Sequence, residues 1–186
     1  VASQVFIPFC VGGGIGTIED IRSTILAGAE KVSLNSQAVK NPDLITQGAR
    51  IFGNQCIVLG MDVRKDPSKP SGYGTTINGG RVDTGLDALE WAKKGVSLGA
   101  GEIVLNSMDA DGTKTGYDIE LTRMISENVP VPVIASGGGG TPQHLSDVLT
   151  QGKADAALIA SMVHSGDYTV NGIKEDLNKL GIPVRL

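Results

Sequence analysis

Pro8-Phe9-Cys10-Val11-Gly12-Gly13-Gly14-Ile15-Gly16-Thr17 falls without a gap on Pro132-Val133-Ile134-Ala135-Ser136-Gly137-Gly138-Gly139-Gly140-Thr141 when the chain is shifted by 124 places, Pro8 onto Pro132. Each copy reads as a short apolar strand, a glycine-rich turn and a threonine suited to cap a helix. At a shift of 125, Glu30 falls on Asp155 and Ser36 on Ser161, the first pair at the start and the second at the end of the strand that follows each turn. A segment of two strand-helix units therefore recurs, and a recurring unit of this size governs how the whole fold is assembled.

On either side of the repeated turns, short apolar runs alternate with segments of helical period, the pattern of a parallel sheet covered by helices. Strands are expected at Phe6 to Val11, Lys31 to Leu34, Cys56 to Val63, Glu102 to Asn106, Val131 to Ala135 and Asp155 to Ala160. Helices should begin at Thr17, with Asp20 completing the cap, and at Asn41-Pro42, Leu86, Asp118, Thr141-Pro142 and Val170. Trp91 is expected to pack against the sheet. Residues 64–82, rich in Pro, Gly, Ser and Thr, are too long for an ordinary βα loop and predict a β-hairpin excursion.

These are six βα units. If the duplication is complete, two more precede Val1, and the roughly 70 residues they need bring the total to about 250, the usual size of a closed eight-stranded barrel. The expected fold is therefore α/β: a TIM (β/α)8 barrel represented by its third to eighth units, in a single domain over 1–186 lacking about its first quarter. Six parallel strands alone would leave two unpaired edges. The rival doubly wound dinucleotide fold fails on its fingerprint. The pattern G-x-G-x-x-G needs glycine where Thr17 and Pro142 stand, and no P-loop run exists.

Bulk properties narrow the function. With 40% hydrophobic and 19% charged residues and a net charge of -4, no basic footprint for nucleic acid or an anionic membrane is present. Any phosphate must be held locally. Cys10 and Cys56 lie in apolar runs without a CxxC or Cys/His cluster and read as core thiols in a reducing cytoplasm. No apolar stretch reaches the roughly 20 residues of a membrane span.

In such barrels the site lies at the C-terminal ends of the strands. Glycines just after a strand let backbone N–H groups approach an anion, and a following helix adds its positive end. Asn35 and Ser36 in the first copy and Ser161 in the second add small polar groups. Two anion sites would face each other across the mouth and suit a substrate phosphorylated at both ends. Between them Asp62 ends the run Ile57-Val58-Leu59-Gly60-Met61, a position suited to acid–base chemistry; pairing with Arg64 or Lys65 is the alternative. In Asp109-Ala110-Asp111-Gly112-Thr113-Lys114 the calcium-loop spacing is absent, so Asp111 and Gly112 read as phosphate-positioning residues. His144 and His164 lack partners for a metal site. No metal and no cofactor are expected.

The runs PFCVGGGI, GAEKVSLNSQAV, VLGMDVRK, GAGEIVLNSMDADGTKTGYD and VIASGGGG resemble the cyclase subunit of imidazole glycerol phosphate synthase, the HisF family of histidine biosynthesis, over essentially all 186 residues. Asp109 to Asp118 carries the most specific match. The sister isomerase of the pathway shares both glycine turns but not the Lys-x-Gly-Tyr-Asp continuation. The resemblance implies a lyase that uses ammonia from a glutaminase partner to convert phosphoribulosyl formimino aminoimidazole carboxamide ribotide into imidazole glycerol phosphate and aminoimidazole carboxamide ribotide. It implies that Asp62 is catalytic, that Gly14, Asn35 and Ser36 hold one phosphate, and that Asp111, Gly112, Gly138, Ala160 and Ser161 hold the other. It places Lys31, Gln55 and Glu102 at the ammonia entrance, on the N-terminal face where the HisH-type glutaminase docks. The family's second catalytic Asp, on its first strand, would lie upstream of Val1. The other readings are the sister sugar-phosphate isomerase, or an inactive truncated barrel that only binds phosphates or docks a glutaminase.

Overall fold

The computed structural model describes residues 4–186. Six strands, β1 (Cys10–Gly12), β2 (Lys31–Leu34), β3 (Ile57–Lys65), β6 (Glu102–Ser107), β7 (Val133–Ser136) and β8 (Ala156–Ala157), pair in that order, all in parallel. Among the described residues no strand pairs with the outer edge of β1 or of β8. The result is an open arc of six βα units, a partial (β/α)8 barrel.

Helices α1 (Ile18–Leu26), α3 (Asp43–Phe52), α4 (Ala88–Ser97), α5 (Ile119–Ser126), α6 (Pro142–Thr150) and α8 (Val170–Lys179) connect or follow the strands. Thr17 caps α1 in a reciprocal box with Asp20, and Thr141 caps α6 from the equivalent place in the second copy. Two short helices unseen in the sequence, α2 (Ser36–Lys40) and α7 (Ser161–His164), open at the aligned serines, so the duplication extends one element further than its strands and turns.

Alternate residues of each strand face the helices. Val32, Leu34, Ile57, Leu59, Met61, Ile103, Leu105 and Val133 are essentially sealed there, against Ile21, Ile45, Trp91, Leu121 and Ile125. A second cluster gathers Tyr117, Leu145, Val148, Met162, Ile173 and Leu177 near β7 and β8. The opposite set of strand residues lines the inner wall, which the open arc leaves partly wet. Lys31, Ser33, Asn35, Glu102, Val104 and Asn106 are all half-buried.

Residues 64–87 make the expected excursion. Strand β4 (Tyr73–Ile77) folds back antiparallel on β3, with Asp62 opposite Thr76, and β5 (Val82–Asp87) pairs with β4. Its tip carries three successive left-handed residues, Asn78, Gly79 and Gly80, a conformation that asparagine and glycine tolerate.

Four expectations need correction. The first strand is three residues long, not six, and Phe6 and Ile7 are 94% and 67% exposed. The last strand is two residues long. Each is paired on one side only, so less of its backbone is held extended. Helix α4 begins at Ala88 because Leu86 still belongs to β5 and the Asp87 carboxylate caps the N–H groups of Leu89 and Glu90. The cysteines are not core thiols: Cys10 is exposed on the open edge strand and Cys56 is half-buried in the 3-10 turn Asn54–Cys56.

Candidate functional site

Two hollows open at the C-terminal ends of the parallel strands, one beside each glycine turn. The first, about 510 Å³, is lined by Gly13, Gly14, Asn35, Ser36, Asp62 and Asn106 among others. The second, about 120 Å³, is lined by Asp111, Gly112, Lys114, the turn 137–139, Ala160 and Ser161. Ser136, at the end of β7, lines both. The structure thus brings together every residue assigned to the two anion sites and to acid–base chemistry.

Asp62 stands on the inner wall where β3 meets the excursion. Asn35 Nδ2 donates to its Oδ2 at 3.0 Å and Asn106 Nδ2 lies 3.4 Å from its Oδ1, so each carboxylate oxygen faces one amide. The amide oxygens of both asparagines are buried without a partner among the described residues, and buried acceptors of that kind attract a ligand donor or water. The alternative pairing with Arg64 is not realised, because the guanidinium donates instead to the Gly80 carbonyl at 2.6 Å. Nor does Lys65 form an ion pair with Asp62 among the described residues. Its backbone N–H donates to Asp109 at 2.7 Å and so ties the ends of β3 and β6 together.

The two turns share backbone shape but not surroundings. Gly13 and Gly14 have φ of 96° and 74°, and their counterparts Gly137 and Gly138 have 90° and 99°. A methyl group added at Gly13 or Gly14 would meet nothing within 4 Å. One added at Gly138 would lie 2.0 Å from the Gly116 carbonyl oxygen, and one at Gly139 would lie 2.5 Å from the Tyr117 hydroxyl. The loop after β6 is therefore packed onto the second turn. The Gly116 N–H donates to the Gly138 carbonyl at 2.8 Å, the Tyr117 hydroxyl donates to the Leu158 carbonyl at 2.9 Å, and the Gly140 N–H donates to His144 Nδ1 at 3.2 Å. Burial pushes the Tyr117 phenol up to about 12. The first site is closed from above instead, where the hairpin tip reaches it and the Asn78 N–H donates to Ser36 Oγ at 3.1 Å.

Asn106, Lys40, Asn78, Lys114 and Tyr117 are site features that sequence reasoning missed. Only Lys114 and Tyr117 carried a signal, by standing inside the loop already singled out. His164 is exposed and lines neither hollow. Among the described residues no three His, Cys, Asp or Glu side chains are grouped to hold a metal ion, and no helix is long and apolar enough to cross a membrane.

At the opposite ends of the strands, Lys31 and Glu102 form an ion pair within a small cavity also lined by Pro8, Phe9, Cys10, Glu30 and Ile134. Although the residue as a whole is exposed, the cavity walls desolvate the Cys10 thiol and, with the nearby Glu102, raise it, against a lowering pull from Lys31. Gln55 is on this side but outside the cavity, exposed, with its amide 3.5 Å from the Phe52 carbonyl.

Comparison with known proteins agrees with this geometry. Residues 1–169 match the family model described as histidine biosynthesis protein. The chain is 66% identical over 188 residues to the imidazole glycerol phosphate synthase subunit HisF of Desulfatibacillum aliphaticivorans, covering all of this chain and 72% of that protein. It is 65% identical to the same subunit of Desulforapulum autotrophicum, with 100% and 73% covered. To that of Prochlorococcus marinus it is 56% identical, with 99% and 72% covered. The chain belongs to the HisF family, the cyclase subunit of imidazole glycerol phosphate synthase in histidine biosynthesis.

Proposed function

We propose that the two hollows hold the two phosphates of one extended substrate, phosphoribulosyl formimino aminoimidazole carboxamide ribotide, and that Asp62 moves protons between them. The observation that carries this reading is that the two hollows are neighbours sharing Ser136 in their walls, with Asp62 in the wall of the first. Gly14 and Ser36 would bind one phosphate, and Gly112, Gly138, Ala160 and Ser161 the other, chiefly through backbone N–H groups. Asp111 would position the second phosphate's loop. Asn35 has a role besides the phosphate contact implied by resemblance, since it shares the orienting of Asp62 with Asn106.

Ammonia adding to the substrate must lose a proton, and the cleavage that accompanies ring closure must return one. A carboxylate fixed by two amides is suited to accept the first. The partner acid on the other side of the substrate is, by resemblance, an aspartate of the family's first strand, which has no counterpart in these 186 residues. A polypeptide made of these 186 residues alone should therefore bind substrate yet turn it over with ammonia about 10²- to 10⁴-fold more slowly than a full-length relative, the usual share of one general acid–base group. A near-normal rate in that assay would sink the assignment. Gly138→Val should abolish substrate binding measured by calorimetry, because the side chain would strike the Gly116 carbonyl, and unchanged binding would remove the second phosphate site.

Ammonia would arrive from a HisH-type glutaminase docked on the N-terminal face, through the gate formed by Lys31 and Glu102, with Gln55 at the rim of that interface. Their position at the far end of the inner wall from Asp62 supports a passage along the wall.

A further inference from the structure

We infer that Lys114 is the cation of the second phosphate hollow, stored on Asp167 while the hollow is empty and handed to the phosphate on binding. This rests on the reading of that hollow as a phosphate site. A dianion placed there would lie beside the Asp111 carboxylate, and Lys114 is the one cationic side chain among the residues lining the hollow. The lysine is placed by its backbone. It sits in the left-handed region at φ 59°, uncommon for a residue other than glycine, and its carbonyl packs where a methyl group on Gly140 would approach to 2.3 Å. The second glycine turn thus sets the origin of the side chain.

Its ammonium donates to Asp167 Oδ2 at 3.1 Å, an exposed pair joining the loop after β6 to the segment between α7 and α8. Asp167 does not depend on Lys114 alone, since Ser165 Oγ lies 2.6 Å from the same oxygen and shares its one proton between it and the Ser161 carbonyl, also at 2.6 Å. The carboxylate therefore keeps a partner when the lysine leaves. An exposed pair of this kind contributes little, whereas a phosphate offers the ammonium several strong acceptors and a larger charge. Exchange of partners is favourable on both counts.

The two hypotheses for the pair predict opposite signs. If Asp167 competes with phosphate for Lys114, Lys114→Met should weaken binding of inorganic phosphate about tenfold, the size of one charge-assisted hydrogen bond. Lys114→Arg should stay within about threefold of the unmodified chain. Asp167→Asn should tighten binding about two- to threefold, by releasing an exposed pair. Isothermal titration of this chain with inorganic phosphate at fixed ionic strength, with the second hollow's site identified as the one that Gly138→Val removes, reads all three, and circular dichroism verifies that each variant is folded. If the pair is only a structural latch, Asp167→Asn will weaken phosphate as Lys114→Met does, and that result overturns the inference. So does a Lys114→Met variant that binds unchanged while Gly138→Val loses the second of the two phosphate sites, an outcome that leaves the hollow's assignment standing. Failure of the unmodified chain to bind phosphate at all overturns both.

Discussion

Tyr117 joins three segments that lie far apart in the chain: its own loop after β6, the second glycine turn and the backbone at Leu158. Its ring is 6% exposed. Because burial raises the phenol to about 12 from an unfolded value of about 10, the stability linked to its proton is fully present below pH 10 and is lost as pH rises through 12. Tyr73, also raised by burial and by Asp118, adds to the same loss. A urea titration repeated from pH 9 to 12 should show stability falling across that window, and Tyr117→Phe should flatten the fall while costing about 1 kcal/mol at neutral pH for the lost hydrogen bond. Asp62 was legible in the sequence because a carboxylate ending an apolar strand is conspicuous in one dimension. The contacts of Asn106, Lys114 and Tyr117 were not, since each depends on a residue more than 20 places away.

Strand β3 is paired along one side with β2, along the other with β6, and beyond Met61 with the returning β4. Hydrogen exchange should find its amides at Leu59 to Val63 the slowest in the chain and those of β1 and β8 among the fastest; uniform protection would contradict the open arc. The excursion is equally specific. Gly80 has φ 79°, and a methyl group there would also press on Met108 at 2.5 Å, so Gly80→Val should cost about 1–3 kcal/mol and loosen the tip from Ser36, seen as faster proteolysis near 78–81. The hairpin was readable from composition, and the helix starts from their caps, because both are local signals. The lengths of β1 and β8 were not, since a strand's extent depends on its neighbours across the sheet.

At the scale of the whole molecule, the duplication was the most informative thing in the sequence, for it counted strands that no local pattern could. It also leaves two sheet edges unpaired among the described residues, with Phe6 and Ile7 exposed next to one of them. Such edges promote association, and sedimentation velocity should show concentration-dependent growth that Ile7→Lys reduces; a monomer at every concentration would show the edges to be inert. The repeated glycines are alike in conformation and unlike in surroundings. Gly13 and Gly14 are required by their left-handed backbone alone, with open space beside them, whereas their counterparts Gly137 and Gly138 are also hemmed in by the Ser107 and Gly116 carbonyls. Drift in the two copies should therefore follow different rules. The first turn can exchange glycine for asparagine unaided, whereas the second can accept a side chain at 137 or 138 only if the backbone at 107 or 116 gives way, so what began as one motif now evolves as two.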